Sequence, residues 1–135
     1  MVTKHFLFNI EYFNLIPNVV SVAGNVQNTG AAWGMFKDRT IWLIVVSSVM
    51  IIALFVFNYF VKNKNTFYCL SFGFIIGGAI GNFVDRIWLN FVRDFIFLDF
   101  WPTFPVFNVA DSFLCVGAVM LAIFILFMQG KKSEK

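Results

Sequence analysis

Four of the seven acidic residues of this chain, Asp85, Asp94, Asp99 and Asp111, fall in the stretch from Gly77 to Asp111, between two long apolar segments. A carboxylate beside hydrocarbon is costly unless it has a partner or a chemical task. Two carboxylates held a few ångströms apart cannot both ionise easily, so one stays protonated and the pair supplies an acid and a base from one residue type. The base takes a proton from water. The acid protonates a carbonyl oxygen and then the leaving amine, which amounts to peptide hydrolysis without metal or covalent intermediate. The residues alone leave a second reading open, in which these aspartates form structural ion pairs, Asp85 with Arg86 or Asp94 with Arg93.

Other chemistries find little support. The chain has a single histidine, His5, and its two cysteines, Cys69 and Cys115, sit in apolar runs without CxxC spacing. That speaks against a metal site or a His-based triad, and the expectation is two buried thiols. Ser112 stands beside Asp111 with no Lys or His near it in sequence, so a serine mechanism lacks its base. The net charge of +3 is small and its lysines lie at segment ends, which argues against nucleic acid as a partner.

The elements that must position the aspartates follow from composition. At 135 residues, 60% hydrophobic and 13% charged, the chain reads as one membrane-embedded domain. Residues 1–39 hold no apolar run of spanning length and no signal-peptide pattern. A turn at Pro17-Asn18, a β-branched strand over Val19 to Val26 and a loop over NTGAAWG (28–34) predict a small sheet or hairpin on the membrane surface. Residues 40–60, 66–84 and 106–128 predict three transmembrane helices, with 85–105 as an interfacial loop or short amphipathic helix rich in aromatics. Three spans place the two ends of the chain on opposite sides of the membrane, while the count of basic residues on each side does not choose between orientations. Gly73, Gly77 and Gly81 form a small-residue stripe suited to close helix packing, with Gly78, Asn82 and Arg86 on the neighbouring face. Asn108, three residues before Asp111, has helix-start spacing.

NTGAAWG at 28–34, GGAIGNFVDR at 77–86, VRDF at 92–95 and FNVADS at 107–112 together resemble the lipoprotein signal peptidases, the signal peptidase II family. Order and spacing match over nearly the whole chain, and the coincidence of four motifs is specific where one would be weak. The resemblance implies a mainly α membrane protein with a small extracytoplasmic β-rich cradle, placed in the bacterial inner membrane with its active site on the extracytoplasmic side. It implies an aspartic endopeptidase, needing no cofactor or metal, that cleaves diacylglyceryl-modified prolipoproteins before the lipidated cysteine, amid membrane lipid, and that binds globomycin-type inhibitors. Asp94 and Asp111 take the catalytic positions, and Lys4, Asn28, Gly30, Asn82, Asp85, Arg86, Asn108 and Ala110 fall in the supporting motifs.

Two departures from the family pattern carry expectations. The family has four spans and a DQxTK motif after the first, of which only Thr3 and Lys4 match, so in-frame codons for an apolar span are expected upstream of Met1. The family's VVDF is VRDF here, and Arg93 beside Asp94 predicts a salt bridge that holds Asp94 ionised. The competing reading, from another class, is a small channel or transporter subunit. There the Gly73/Gly77/Gly81 stripe is a dimer face, and Asn82, Asp85 and Arg86 line an ion path.

Overall fold

The computed structural model describes residues 12–31, 35–62 and 64–128. Lys4, Thr3 and His5 lie outside them. Strands β1 (Tyr12–Ile16) and β2 (Val20–Asn28) come first, then helices α1 (Thr40–Phe60) and α2 (Thr66–Leu89), strand β3 (Val92–Leu98), and helix α3 (Val109–Ile123), which ends in a π-helical turn over Phe124–Met128. The three helices are long and apolar enough to cross a membrane. Packing groups the chain into two compact units, one up to Val45 together with Val84–Val109, the other Val46–Phe83 together with the chain from Ala110 on.

The first unit is built on an antiparallel sheet in the order β1-β2-β3. Asn18 adopts a left-handed φ of 61° in the turn between β1 and β2, a conformation its short polar side chain tolerates, and the Val19 N–H closes the turn on the Ile16 carbonyl at 3.0 Å. β3 replaces the loop or amphipathic helix expected over this part of 85–105. Val92 and Asp94 are buried on one face and Phe97 on the other, so a carboxylate interrupts the alternation of apolar residues by which a strand is ordinarily recognised. The partner of β3 lies more than sixty residues earlier, and Asn28 pairs with Val92 while Val20 pairs with Leu98. Ser21 is buried between β1 and the end of β3, its hydroxyl 2.7 Å from Asn14 Oδ1 and 2.6 Å from Asp99 Oδ2. Asp99 therefore ties the sheet together.

Helix α2 runs five residues beyond the predicted end at Val84, and Asn90, at φ 64°, turns the chain out of it with its N–H bonded to the Arg86 carbonyl. The Thr40 hydroxyl, at the start of α1, donates to the Asn90 carbonyl at 2.9 Å and holds that turn. At the other end of α2, in the second unit, Asn65 caps the helix by accepting the Tyr68 N–H at 2.8 Å. Tyr68 then packs with Val61 and Phe124 in a buried cluster and donates its hydroxyl to Asn58 Oδ1 at 3.0 Å.

The glycine stripe holds at Gly81, where a Cβ would lie 3.1 Å from that of Ala110, and is corrected at its other two positions. A Cβ at Gly73 or Gly77 would meet nothing within 4 Å, whereas one at Gly78 would run into the Ala110 carbonyl and the Leu114 side chain, 2.8 Å away. One at Gly117 would lie 2.8 Å from both Ile75 and the Ser71 carbonyl. The contact face of α2 is thus Ser71, Ile75, Gly78 and Asn82, all buried and spaced by helical turns. Glycine allows two backbones to approach there, and spacing alone could not choose between adjoining stripes. Gly78→Ala is expected to lower thermal stability in detergent by about 1 to 3 kcal/mol through overpacking. Gly77→Ala, in open helix interior, should raise it by about 0.5 to 1 kcal/mol. Equal melting temperatures for the two variants would contradict this assignment.

Cys69 and Cys115 are exposed, contrary to the expectation of burial. On a spanning helix an apolar position faces lipid as readily as protein, so hydrophobic surroundings in sequence do not imply an interior position. Helix α1 makes the same point, with Leu43 its one buried residue.

Candidate active site

Asp94 is the most thoroughly enclosed carboxylate among the described residues, 3% exposed on the inner face of β3. Three local features bring it its partners. β2 advances four residues between Val22 and Val26 while β3 advances two between Ile96 and Asp94, a bulge that re-aims the strand beside the carboxylate. On the other edge of β3, Phe107 exchanges backbone hydrogen bonds with Ile96, donating at 3.0 Å and accepting at 2.7 Å, which delivers the next residue, Asn108, to Asp94. Beyond the end of β2, Gly30 turns the chain so tightly that a Cβ would lie 2.6 Å from the Met35 carbonyl.

The result is a carboxylate with a carboxamide donor on each oxygen. Asn28 Nδ2 donates to Oδ2 and Asn108 Nδ2 donates to Oδ1, both at 2.8 Å. A carboxylate is an acceptor on both oxygens, and this arrangement matches it. The Asn28 amide cannot turn over without loss, because its Oδ1 accepts the Gly30 N–H at 2.9 Å. The Gly30 carbonyl in turn accepts from the Arg86 guanidinium at 3.2 Å. Asn28, Gly30, Arg86, Asp94 and Asn108 thus form one connected set within the first unit.

Asp111 belongs to the second unit. It lies in the first turn of α3, which begins at Val109 directly after Asn108, as the spacing predicted. Its Oδ1 accepts from Nδ2 of Asn82, a buried residue of α2, at 2.7 Å. Ala110 stands where α2 comes closest, so the small residue before Asp111 has a packing reason.

Of the two ion pairs anticipated from sequence, that of Asp94 with Arg93 is corrected. Arg93 pairs with Asp85, Nη2 to Oδ1 at 2.8 Å and Nε to Oδ2 at 3.1 Å. Neighbouring residues of a strand point to opposite faces, so burying Asp94 turns Arg93 outward, where its side chain is 63% exposed. Arg86 donates to the Gly30 carbonyl, and its charge also acts on Asp85, as anticipated. The Asp85 carboxylate pushes the Arg93 guanidinium further up from its ordinary value, keeping it charged. Sequence reasoning had no hold on Phe107 and Thr40, which act through backbone carbonyl and hydroxyl contacts that carry no residue signature.

Known proteins resemble this chain over most of its length. The family model described as Signal peptidase (SPase) II matches residues 1–127. The lipoprotein signal peptidase of Caldanaerobacter subterraneus subsp. tengcongensis is 40% identical over 129 residues, which cover 96% of this chain and 77% of that protein. That of Enterococcus faecalis is 40% identical over 127 residues, 92% of this chain and 76% of that protein. Two solved structures of bacterial membrane enzymes superpose with TM-scores of 0.80 and 0.78 at 32% and 30% identity, covering 99% and 94% of this chain and 84% of each of theirs. A family match over nearly all its length, carried by a fold of spanning helices and a small sheet, means that this multi-pass membrane protein belongs to the signal peptidase II family of peptidases.

Proposed function

We propose that this protein is an aspartic endopeptidase that removes the signal peptide of bacterial prolipoproteins immediately before the diacylglyceryl-modified cysteine, with Asp94 and Asp111 as its catalytic aspartates. The observation that carries this reading is the Asp94 carboxylate, buried and held by one carboxamide N–H on each oxygen. Charge-assisted donors of this kind favour the anion, so Asp94 is the base. It accepts a proton from water as the water oxygen attacks the scissile carbonyl carbon. Asp111, as the acid, first protonates the carbonyl oxygen. When the tetrahedral intermediate collapses, the C–N bond breaks, protonated Asp94 gives its proton to the leaving amine, and Asp111 takes a proton back from a hydroxyl of the intermediate, which leaves a carboxyl group on the signal peptide.

Asn82, through Asp111, and Asn28, Asn108 and the Arg86–Gly30 link, through Asp94, act as positioning groups in this scheme. The scissile bond of a lipid-anchored substrate lies at the membrane surface, and an aspartate in the first turn of a spanning helix suits that depth. In the same reading the protein resides in the bacterial inner membrane and faces its substrate on the extracytoplasmic side. The described part of residues 1–39 and the stretch 88–104 are the cradle and lid over the substrate, while Lys4 lies outside the described residues. The test is incubation of the membrane-reconstituted protein with a diacylglyceryl-modified prolipoprotein, with and without globomycin. Cleavage before the lipidated cysteine that globomycin blocks is the expected result. A folded protein that cleaves nothing yet carries ion flux across liposomes would overturn the reading in favour of a channel.

A further inference from the structure

β3 has an unusual problem of register. A one-residue slip of a strand exchanges its faces, and here it would bury Arg93 and expose Asp94. The bulge between Val22 and Val26 weakens the pairing that ordinarily prevents a slip, because four steps of β2 stand against two of β3 immediately beside Asp94. The inner face cannot supply a strong apolar preference at this point, since the residue to be buried is itself a carboxylate.

On the outer face, Asp85 grips residue 93 by three hydrogen bonds. Its Oδ1 accepts from Arg93 Nη2 at 2.8 Å, and its Oδ2 accepts from Nε at 3.1 Å and from the Arg93 backbone N–H at 3.2 Å. The side-chain bonds recognise the guanidinium fork and the third fixes the main chain from which Asp94 follows. Asp85 is rigidly carried by α2 and is only 16% exposed, so it is a fixed point against which the strand can be set.

We propose that Asp85 and Arg93 form a register clamp on β3: they are positioning residues that fix which face of the strand carries Asp94. The proposal rests on the assignment of Asp94 as a catalytic aspartate. Loss of the clamp leaves the helices intact and lets β3 sample registers or twists in which the Asp94 carboxylate is displaced from its Asn28 and Asn108 donors. Such displacement lowers turnover more than substrate binding, and misplacement of a catalytic group by about 1 Å can cost roughly 100-fold.

The test compares Arg93→Gln, Arg93→Lys and Asp85→Ala in the full reconstituted protein by cleavage kinetics and by hydrogen exchange resolved to β3 and to the helices. Arg93→Gln and Asp85→Ala are expected to lose about 10- to 100-fold in kcat with KM within about twofold. Exchange should rise across 92–98 and stay unchanged in α1, α2 and α3. Arg93→Lys, which keeps one charged donor, should recover part of both. Unchanged exchange in β3 for Arg93→Gln overturns the clamp, as does a loss of protection spread equally over the helices, which marks a general structural role. Asp94→Asn is measured alongside: if it cleaves normally, the catalytic assignment fails, whereas the exchange data still decide the clamp. A variant too unstable to assay for cleavage is likewise decided by exchange, read on the folded fraction at lower temperature.

Discussion

Asp111→Asn is expected to fold as the parent does and to lose cleavage by about 100- to 10,000-fold, the range contributed by a general acid or base. The substitution preserves shape, and Asn82 Nδ2, which donates to Oδ1 at 2.7 Å, still finds a carbonyl oxygen there if the new amide is turned accordingly. What disappears is the exchangeable proton. Single-turnover cleavage of a diacylglyceryl-modified prolipoprotein, read beside thermal unfolding in detergent, checks both halves of the expectation. Turnover within tenfold of wild type by a well-folded variant would remove Asp111 from the mechanism.

Asp94→Asn is expected to be as damaging to cleavage and, unlike Asp111→Asn, to reduce stability as well. Asp94 receives one N–H on each oxygen, from Asn28 and from Asn108. An amide at position 94 offers an acceptor to one of them and points its own NH2 at the other. Asn28 cannot relieve the clash by turning over, because its Oδ1 is already engaged by the Gly30 N–H. A buried donor left facing a donor costs about 1 to 3 kcal/mol. Asp85→Asn makes the contrast: its partner Arg93 is 63% exposed and its Oδ1 can still accept, so its loss of stability should stay below about 1 kcal/mol. The measurement is the pair of melting temperatures together with the two cleavage rates. A stable but inactive Asp85→Asn beside an active Asp94→Asn would transfer the catalytic role to Asp85.

The parts of this protein that were legible in its sequence are those governed by local or solvent-level physics. Thr40 to Phe60 reads as a span and is one helix with those bounds, because an uncharged run in hydrocarbon has to satisfy its backbone hydrogen bonds within itself. Asn108 and Asp111 mark the start of α3 for an equally local reason, the unpaired N–H groups of a helix's first turn. The Pro17-Asn18 turn and the strand after it follow from the backbone preferences of those residues. The grouping of NTGAAWG, NFVDR, VRDF and FNVAD into a candidate site was readable as a resemblance, and so were its aspartates and asparagines.

Tertiary structure decided the pairings. Nothing in the order of residues says that Val92–Leu98 is a strand, since the carboxylate on its buried face breaks the apolar alternation and its partner strand is remote in the chain. Once that strand is formed, its two-residue period sends Arg93 outward to Asp85 and Asp94 inward to Asn28 and Asn108, a separation that adjacency in VRDF conceals. Gly78 rather than Gly73 or Gly77 meets its neighbour because the contact depends on where Ala110 and Leu114 of another helix lie. A sequence can specify the period of each element and the inventory of its chemical groups. Which face meets which partner depends on contacts between residues far apart in the chain, and those exist only after the chain has folded.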